Sequence, residues 1–176
     1  MPKTLKLKIR DIPDFPRTGI MFKDITPLLH DAHSLKKSVK LFMDYYTTKG
    51  LRVDKVVAAE SRGFIFGALL AYELDAGFVP LRKKGKLPFK TLKQNYELEY
   101  GKESLEIHVD AIKPKDNVLF VDDLLATGGT AEASIKLVKR LKGKPVGCAF
   151  LIELAFLHGR DKLKGIDVFS LITYDE

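Results

Sequence analysis

The 176-residue sequence contains a single cysteine, Cys148, in the apolar run VGCAFLIEL, so no internal disulfide can form. No run of about 18 apolar residues occurs, and no membrane span is expected. The opening MPKTLKLKIRDIPDFP lacks the apolar stretch of a secretory signal, so a cytoplasmic location is the expectation. Internal repeats, low-complexity tracts and Gly/Ser-rich linkers are also missing. What remains is one compact domain, 1–176, long enough to bury a sizeable core. Neither the Walker spacing G-x-x-x-x-G-K-[ST] nor the dinucleotide spacing G-x-G-x-x-G is found.

Acidic residues are in deficit, 23 against 30 basic ones, giving a net charge of +7. The basic residues gather in TLKLKIR (4–10), RKKGKLPFK (82–90) and KRLKGK (139–144). Solvated surface accounts for the first and third. The second follows an apolar, strand-like run and holds a loop glycine, which suits an anionic partner: nucleic acid, a membrane surface or a small polyphosphate.

Along the chain, residues 11–30 carry Pro13, Pro16, Pro27 and Gly19 and read as ordered loop with short turns. Ser34 offers an N-cap to a helix whose Leu35, Val39, Phe42 and Tyr46 share one face, ending at Lys49-Gly50. Apolar runs predict strands at Lys55–Ala59, Phe78–Arg82, Asn117–Val121, Val146–Ile152 and Asp167–Thr173. Helices are predicted over 63–77 and Thr130–Lys142. Residues 83–104 are polar and basic, either a long mobile loop or a hairpin, and such a segment in a compact domain points to function. Alternating strands and helices, with strands apolar throughout, predict an α/β fold with a mainly parallel twisted sheet flanked by helices. Ligands of such sheets sit at the carboxyl ends of the strands. Three polar clusters fall there: 60–63, 82–86 and 122–130.

Within NVLFVDDLLATGGTAEA (117–133), Asp122 and Asp123 end an apolar run just before Ala126-Thr127-Gly128-Gly129-Thr130. Glycines let backbone N–H groups approach an anion, and a following helix adds its positive end. A plain strand-to-helix turn explains the glycines equally well. Two carboxylates repel a phosphate, but they accept hydrogen bonds from sugar hydroxyls or hold Mg²⁺. A sugar phosphate satisfies both halves of the motif.

VLFVDDLLATGGT resembles the phosphoribosyl pyrophosphate signature of type I phosphoribosyltransferases. IPDFPRTGIMFKDITPLL (12–29), AAESRGFIFGALLA (58–71), FVPLRKKGKLP (78–88), LEYGKESLEIH (98–108) and LIEL…HGRDKL (151–163) resemble the members of that family that act on adenine. The resemblance runs through nearly the whole chain in order. It implies transfer of phosphoribose from phosphoribosyl pyrophosphate to adenine, giving AMP and pyrophosphate with Mg²⁺ in purine salvage, by a homodimer.

Residue by residue, the resemblance places Ala126, Thr127, Gly128, Gly129 and Thr130 on the 5′-phosphate and Asp122 and Asp123 on the ribose hydroxyls. Glu60, Ser61, Arg62 and Gly63 form the pyrophosphate loop, where relatives carry a non-proline cis peptide, and Lys83 and Lys86 join Arg62 at the leaving group. A hood at 11–30 brings Met21, Phe22 and Lys23 to the base, with Phe22 stacking and Leu125 on the opposite face. A lid loop at about 83–108, centred on 90–104, carries Glu99, aligned with the catalytic glutamate that handles a proton at N7, and Tyr100. Periodicity alone does not choose between Glu97 and Glu99. Mg²⁺ is expected to be held through substrate and water, without a direct protein cage.

Lys23 stands where relatives often have arginine. If its ammonium faced the purine 6-position it would favour hypoxanthine or guanine, so a 6-oxopurine phosphoribosyltransferase is the alternative enzyme. A nucleic-acid-binding regulator on the same fold is the alternative of another class, allowed by the net charge.

Overall fold

The computed structural model describes residues 3–98 and 101–176. After a short helix, α1 (Lys3–Lys6), strands β1 (Arg10–Ile12) and β2 (Phe22–Asp24) pair antiparallel as a small separate sheet. This is the 11–30 segment expected as a hood. A turn between its strands is tied by Gly19 N–H donating to Asp14 Oδ1 at 2.7 Å. Helices α2 (Thr26–His30) and α3 (Ala32–Thr48) follow. The cap of α3 is Asp31 rather than the expected Ser34. Its carboxylate accepts from Ser34 N–H at 2.7 Å, because the helix begins three residues earlier than the apolar pattern indicates.

The main sheet then builds from β3 (Lys55–Ala59), helix α4 (Gly63–Glu73) and β4 (Gly77–Lys83). Strands β5 (Thr91–Leu98) and β6 (Gly101–His108) form an antiparallel hairpin, so the hairpin alternative for 83–104 is the observed one. It joins the sheet through β6, with Arg82 opposite Glu106 and Lys83 opposite Leu105. Strand β7 (Asn117–Leu125), helix α5 (Gly129–Arg140), β8 (Lys144–Leu154), two 3₁₀ turns (Ala155–Leu157, Gly159–Leu163) and β9 (Val168–Tyr174) complete the described chain. The strand order is β5-β6-β4-β3-β7-β8-β9, with β4, β3, β7, β8 and β9 parallel.

Apolar residues on both faces explain the parallel core. Val56, Ala58, Leu119 and Val121 pack with Phe42, Tyr46, Phe66 and Leu70 of α3 and α4. On the other face Val57, Ala59 and Phe120 pack with Ile135 and Val138 of α5 and with Leu105 and Ile107 of β6. Burial at about 25 cal/mol per Å² on both faces is what holds the sheet against its helices. Among the described residues no helix is long and apolar enough to cross a membrane.

Candidate active site

Strands β3 and β7 are neighbours, yet the chain leaves β3 toward β4 and leaves β7 toward β8. The loops beyond them therefore diverge, opening a crevice at the carboxyl ends of the strands. A cavity of about 490 Å³ lies there, lined by residues 59–62, Lys83, Tyr96, Leu105 and 122–131. The three polar clusters expected at one rim meet in it.

The strand that carries Asp122 and Asp123 runs four residues beyond the expected end at Val121, so both acids sit on β7 itself. The pleat points them apart. Asp122 Oδ1 accepts from the N–H of Asp123 at 2.9 Å, and Asp123 Oδ2 meets Arg62 Nε at 2.7 Å. Burial, and then the charge of Asp123, push the Asp122 carboxyl well above the usual carboxylate range. Burial also raises Asp123, opposed by the Arg62 guanidinium. Gly63 allows the approach of α4 to this pair, since a Cβ there would lie 2.6 Å from Asp122 Oδ1.

Beyond the acids, Gly128 has φ +77°, a left-handed conformation that glycine adopts without cost, and it caps α5 with no side-chain hydrogen bond. The N–H groups of the first helical turn are thus left for a ligand, and the positive end of the helix dipole faces the cavity. Thr127 and Thr130 add hydroxyls at its lining.

On the β3 side, the Glu60–Ser61 peptide is cis. The Glu60 carboxylate is ion-paired with Arg82. Burial raises its carboxyl, but the Arg82 hydrogen bond and charge outweigh burial and hold it below the usual value. Lys83 Nζ reaches Glu103 Oε1 at 3.0 Å. Two of the four cations of RKKGK are therefore paired with acids around the cavity rather than spread over a free basic surface. Lys86 is exposed on the turn after β4 and does not line the cavity.

The β1–β2 segment meets this site through Arg62, whose guanidinium carbon lies 5.2 Å from the centre of the Phe22 ring. Phe22 and Met21 stand outside the cavity lining, and Met21 is exposed. Leu125 is both core and lining, 1% exposed. Lys23 turns away: its ammonium pairs with Asp11 Oδ1 at 2.8 Å and lies 4.1 Å over the Tyr174 ring. Glu99 and Tyr100 lie outside the described residues.

The phosphoribosyl transferase domain family matches residues 26–173. The adenine phosphoribosyltransferase of Christiangramia forsetii is 57% identical over 173 residues, covering 97% of this chain and 98% of the relative. The crystal structure of adenine phosphoribosyltransferase from Thermoanaerobacter pseudethanolicus superposes with a TM-score of 0.95 at 53% identity, covering 99% of this chain and 100% of that one. That of Saccharomyces cerevisiae, complexed with adenine and an imino-altritol bisphosphate, gives 0.92 at 41% identity, covering 97% of each chain. This chain belongs to the adenine phosphoribosyltransferase family.

Two features of this family member escape the sequence reading. Tyr96 of β5 lines the cavity and brings the hairpin to its 126–130 side, where burial raises its hydroxyl despite a hydrogen bond with Thr130. Its alternation on a polar strand held no signal that it turned inward. Gly159, in the HGRDKL segment, abuts the backbone of 126–128. Only the fold brings those segments together.

Proposed function

We propose that the chain transfers the 5-phosphoribosyl group of phosphoribosyl pyrophosphate to adenine, releasing pyrophosphate and AMP. The observation that carries this reading is the single cavity in which an acid pair, an uncapped helix N-terminus and a cationic loop converge. The yeast relative, solved with adenine and a sugar bisphosphate, supports it.

In this reading the 5′-phosphate rests on the N–H groups and hydroxyls of 126–130, and the ribose hydroxyls donate to Asp122 and Asp123. Pyrophosphate lies against Ser61, Arg62 and Lys83, with Lys86 reaching in from the turn. Adenine N9 attacks the anomeric carbon as the bond to the pyrophosphate oxygen breaks, and the electron pair leaves with pyrophosphate. Arg62 and Lys83 stabilise the negative charge that develops on that oxygen. Glu99 takes the proton shed at N7, a role that rests on the family resemblance, and Tyr100 closes beside it. Phe22 stacks on the base opposite Leu125, while the backbones of Met21 and Lys23 read its edge. The Lys23 ammonium is held by Asp11 and Tyr174, and an ammonium so engaged supports the choice of adenine over 6-oxopurines.

Mg²⁺ fits the same residues. Among the described residues no group of three or more His, Cys, Asp or Glu converges as a cage, whereas the Asp122–Asp123 pair sits partly uncompensated at the cavity wall. Those carboxylates would meet Mg²⁺ through water and substrate oxygens, and the bound ion would supply charge neutralisation for pyrophosphate.

A homodimer is part of the proposal. Ile65, Ala68, Leu69 and Tyr72 recur at helical spacing on the outer face of α4 and are exposed, with Phe78 beside them. Such an apolar stripe suits a second copy. A cytoplasmic location accords with the lone, fully buried Cys148.

The test is nucleotide formation from phosphoribosyl pyrophosphate, Mg²⁺ and each base in turn. AMP formed much faster than IMP or GMP is expected. Faster reaction with hypoxanthine or guanine, or no nucleotide at all alongside salt-sensitive binding of RNA or DNA, overturns the proposal.

A further inference from the structure

The 3₁₀ turn Gly159–Leu163 lies behind the loop 126–128, and the contact is backbone on backbone. A Cβ on Gly159 would stand 2.2 Å from the carbonyl oxygen of Ala126 and 3.0 Å from the nitrogen of Gly128. A Cβ on Gly128 would in turn stand 2.4 Å from the carbonyl oxygen of Gly159. Each glycine leaves the space the other strand of backbone occupies. The geometry is specific in what it touches. The carbonyl of Ala126 and the N–H of Thr127 belong to one planar peptide unit, so moving the first re-aims the second.

The turn itself is anchored. Arg160, next to Gly159, makes a two-pronged ion pair with Glu153, Nε to Oε1 at 2.5 Å and Nη2 to Oε2 at 2.6 Å. Its Nη1 also donates to the carbonyl of Val168 at 2.9 Å. Glu153 is 4% exposed and stands opposite Leu125 in the β7–β8 register. Leu163 closes the turn into the core at 2% exposed. A planar guanidinium gripping a carboxylate at both oxygens fixes orientation as well as distance.

We infer that Gly159, held by the Glu153–Arg160 pair, is a positioning residue for the 5′-phosphate loop: it sets the peptide planes that present the Thr127 and Gly128 N–H groups to the phosphate. The inference rests on the assignment of 126–130 to the phosphate. It deepens that assignment by tying the geometry of the loop to a second segment, the turn Gly159–Leu163 and its Glu153 anchor. A shift of about 1 Å in a preorganised donor set is enough to cost about 100-fold in binding or rate.

The experiment is calorimetric titration of the full chain with ribose 5-phosphate and, separately, with pyrophosphate and Mg²⁺. Gly159→Ala is expected to weaken ribose 5-phosphate about tenfold or more while pyrophosphate affinity and cooperative thermal melting are retained. In steady state the same variant raises KM for phosphoribosyl pyrophosphate more than it lowers kcat. Should Gly159→Ala fail to fold, Glu153→Gln with Arg160→Met removes the anchor without stranding a buried charge, and the same selective loss is expected. Equal weakening of both ligands, or unchanged ribose 5-phosphate binding, overturns the inference. Thr130→Ala serves as the reference. If it weakens ribose 5-phosphate while the Gly159 and anchor variants do not, the phosphate assignment stands and the inference falls. If none of them does, the phosphate assignment itself falls.

Discussion

Arg62 joins three parts of the site through two contacts: its Nε meets Asp123 Oδ2 at 2.7 Å, and its guanidinium lies 5.2 Å from the Phe22 ring centre. The residue belongs to the loop after β3, the acid to β7 and the ring to the hood. Any displacement of that guanidinium therefore loosens both the buried acid and the Phe22 contact.

Removing that guanidinium tests the arrangement. Arg62→Ala is expected to lower kcat by about 100-fold or more, the scale seen when a donor to developing charge is lost. The Asp123 carboxyl, already raised by burial, loses the cation that opposes the rise. Its proton is then held to higher pH, so the acid limb of the kcat/KM profile moves upward. Steady-state kinetics across pH decide: an unchanged rate, or an acid limb that stays put, contradicts the assignment.

Asp122 carries the opposite balance of stability and function. Its carboxyl is raised in the folded state by burial and by Asp123. Below the unfolded carboxylate value of about 4 both states are protonated and nothing is lost. As pH rises through that value the unfolded chain ionises more readily than the folded one, and folding stability falls. Asp122→Asn should therefore melt higher than the unaltered chain at pH 7, with the gap closing below about pH 4. The same change should weaken phosphoribosyl pyrophosphate about 10- to 100-fold, because it removes a charge-assisted hydrogen bond of about 1.5–3 kcal/mol. Calorimetric melting at both pH values, with titration, checks both signs. A gap that widens in acid rejects this account of the acid pair.

Lys23 bears on base choice. Its side chain is only 11% exposed, engaged by Asp11 and Tyr174, and Lys6 lies over the same ring at 4.1 Å. The lysine thus fastens the β1–β2 segment to β9. Lys23→Met should raise KM for adenine by loosening the hood, yet leave the adenine-to-hypoxanthine rate ratio near its starting value. A base-reading ammonium would instead shift that ratio by about 100-fold or more, and competition assays with the two bases separate the cases.

How much of this was legible in the sequence varies with the physics of each element. Lys55–Ala59 has the expected bounds because a strand buried on both faces is written as an unbroken apolar run. β7 was predicted too short for the same reason: Asp122 and Asp123 look like the end of a strand, while the ladder to β8 continues through Leu125. The α3 cap was misplaced at Ser34 because Ser34 and Asp31 both suit an N-cap, and only the dihedrals distinguish them. Convergence of residues 60–62, Lys83 and 122–130 was readable from their places at strand ends, but Gly159 was not. Its contact with Ala126 spans more than thirty residues and leaves no local pattern. Nor does the sequence disclose that Arg82 and Lys83 turn to Glu60 and Glu103, since partners so distant in the chain become neighbours only in the sheet.

The central claim is that one ribose phosphate reconciles an acidic pair with an anion site a few residues away. A crystal structure of the protein with AMP tests it most directly. The account predicts the phosphate within hydrogen-bond distance of the N–H groups of 127–130, the ribose hydroxyls on Asp122 and Asp123, and adenine between Phe22 and Leu125 with the Lys23 ammonium still on Asp11. A phosphate seated instead against Arg62 and Lys83, with Asp122 and Asp123 making no contact to the sugar, would contradict it.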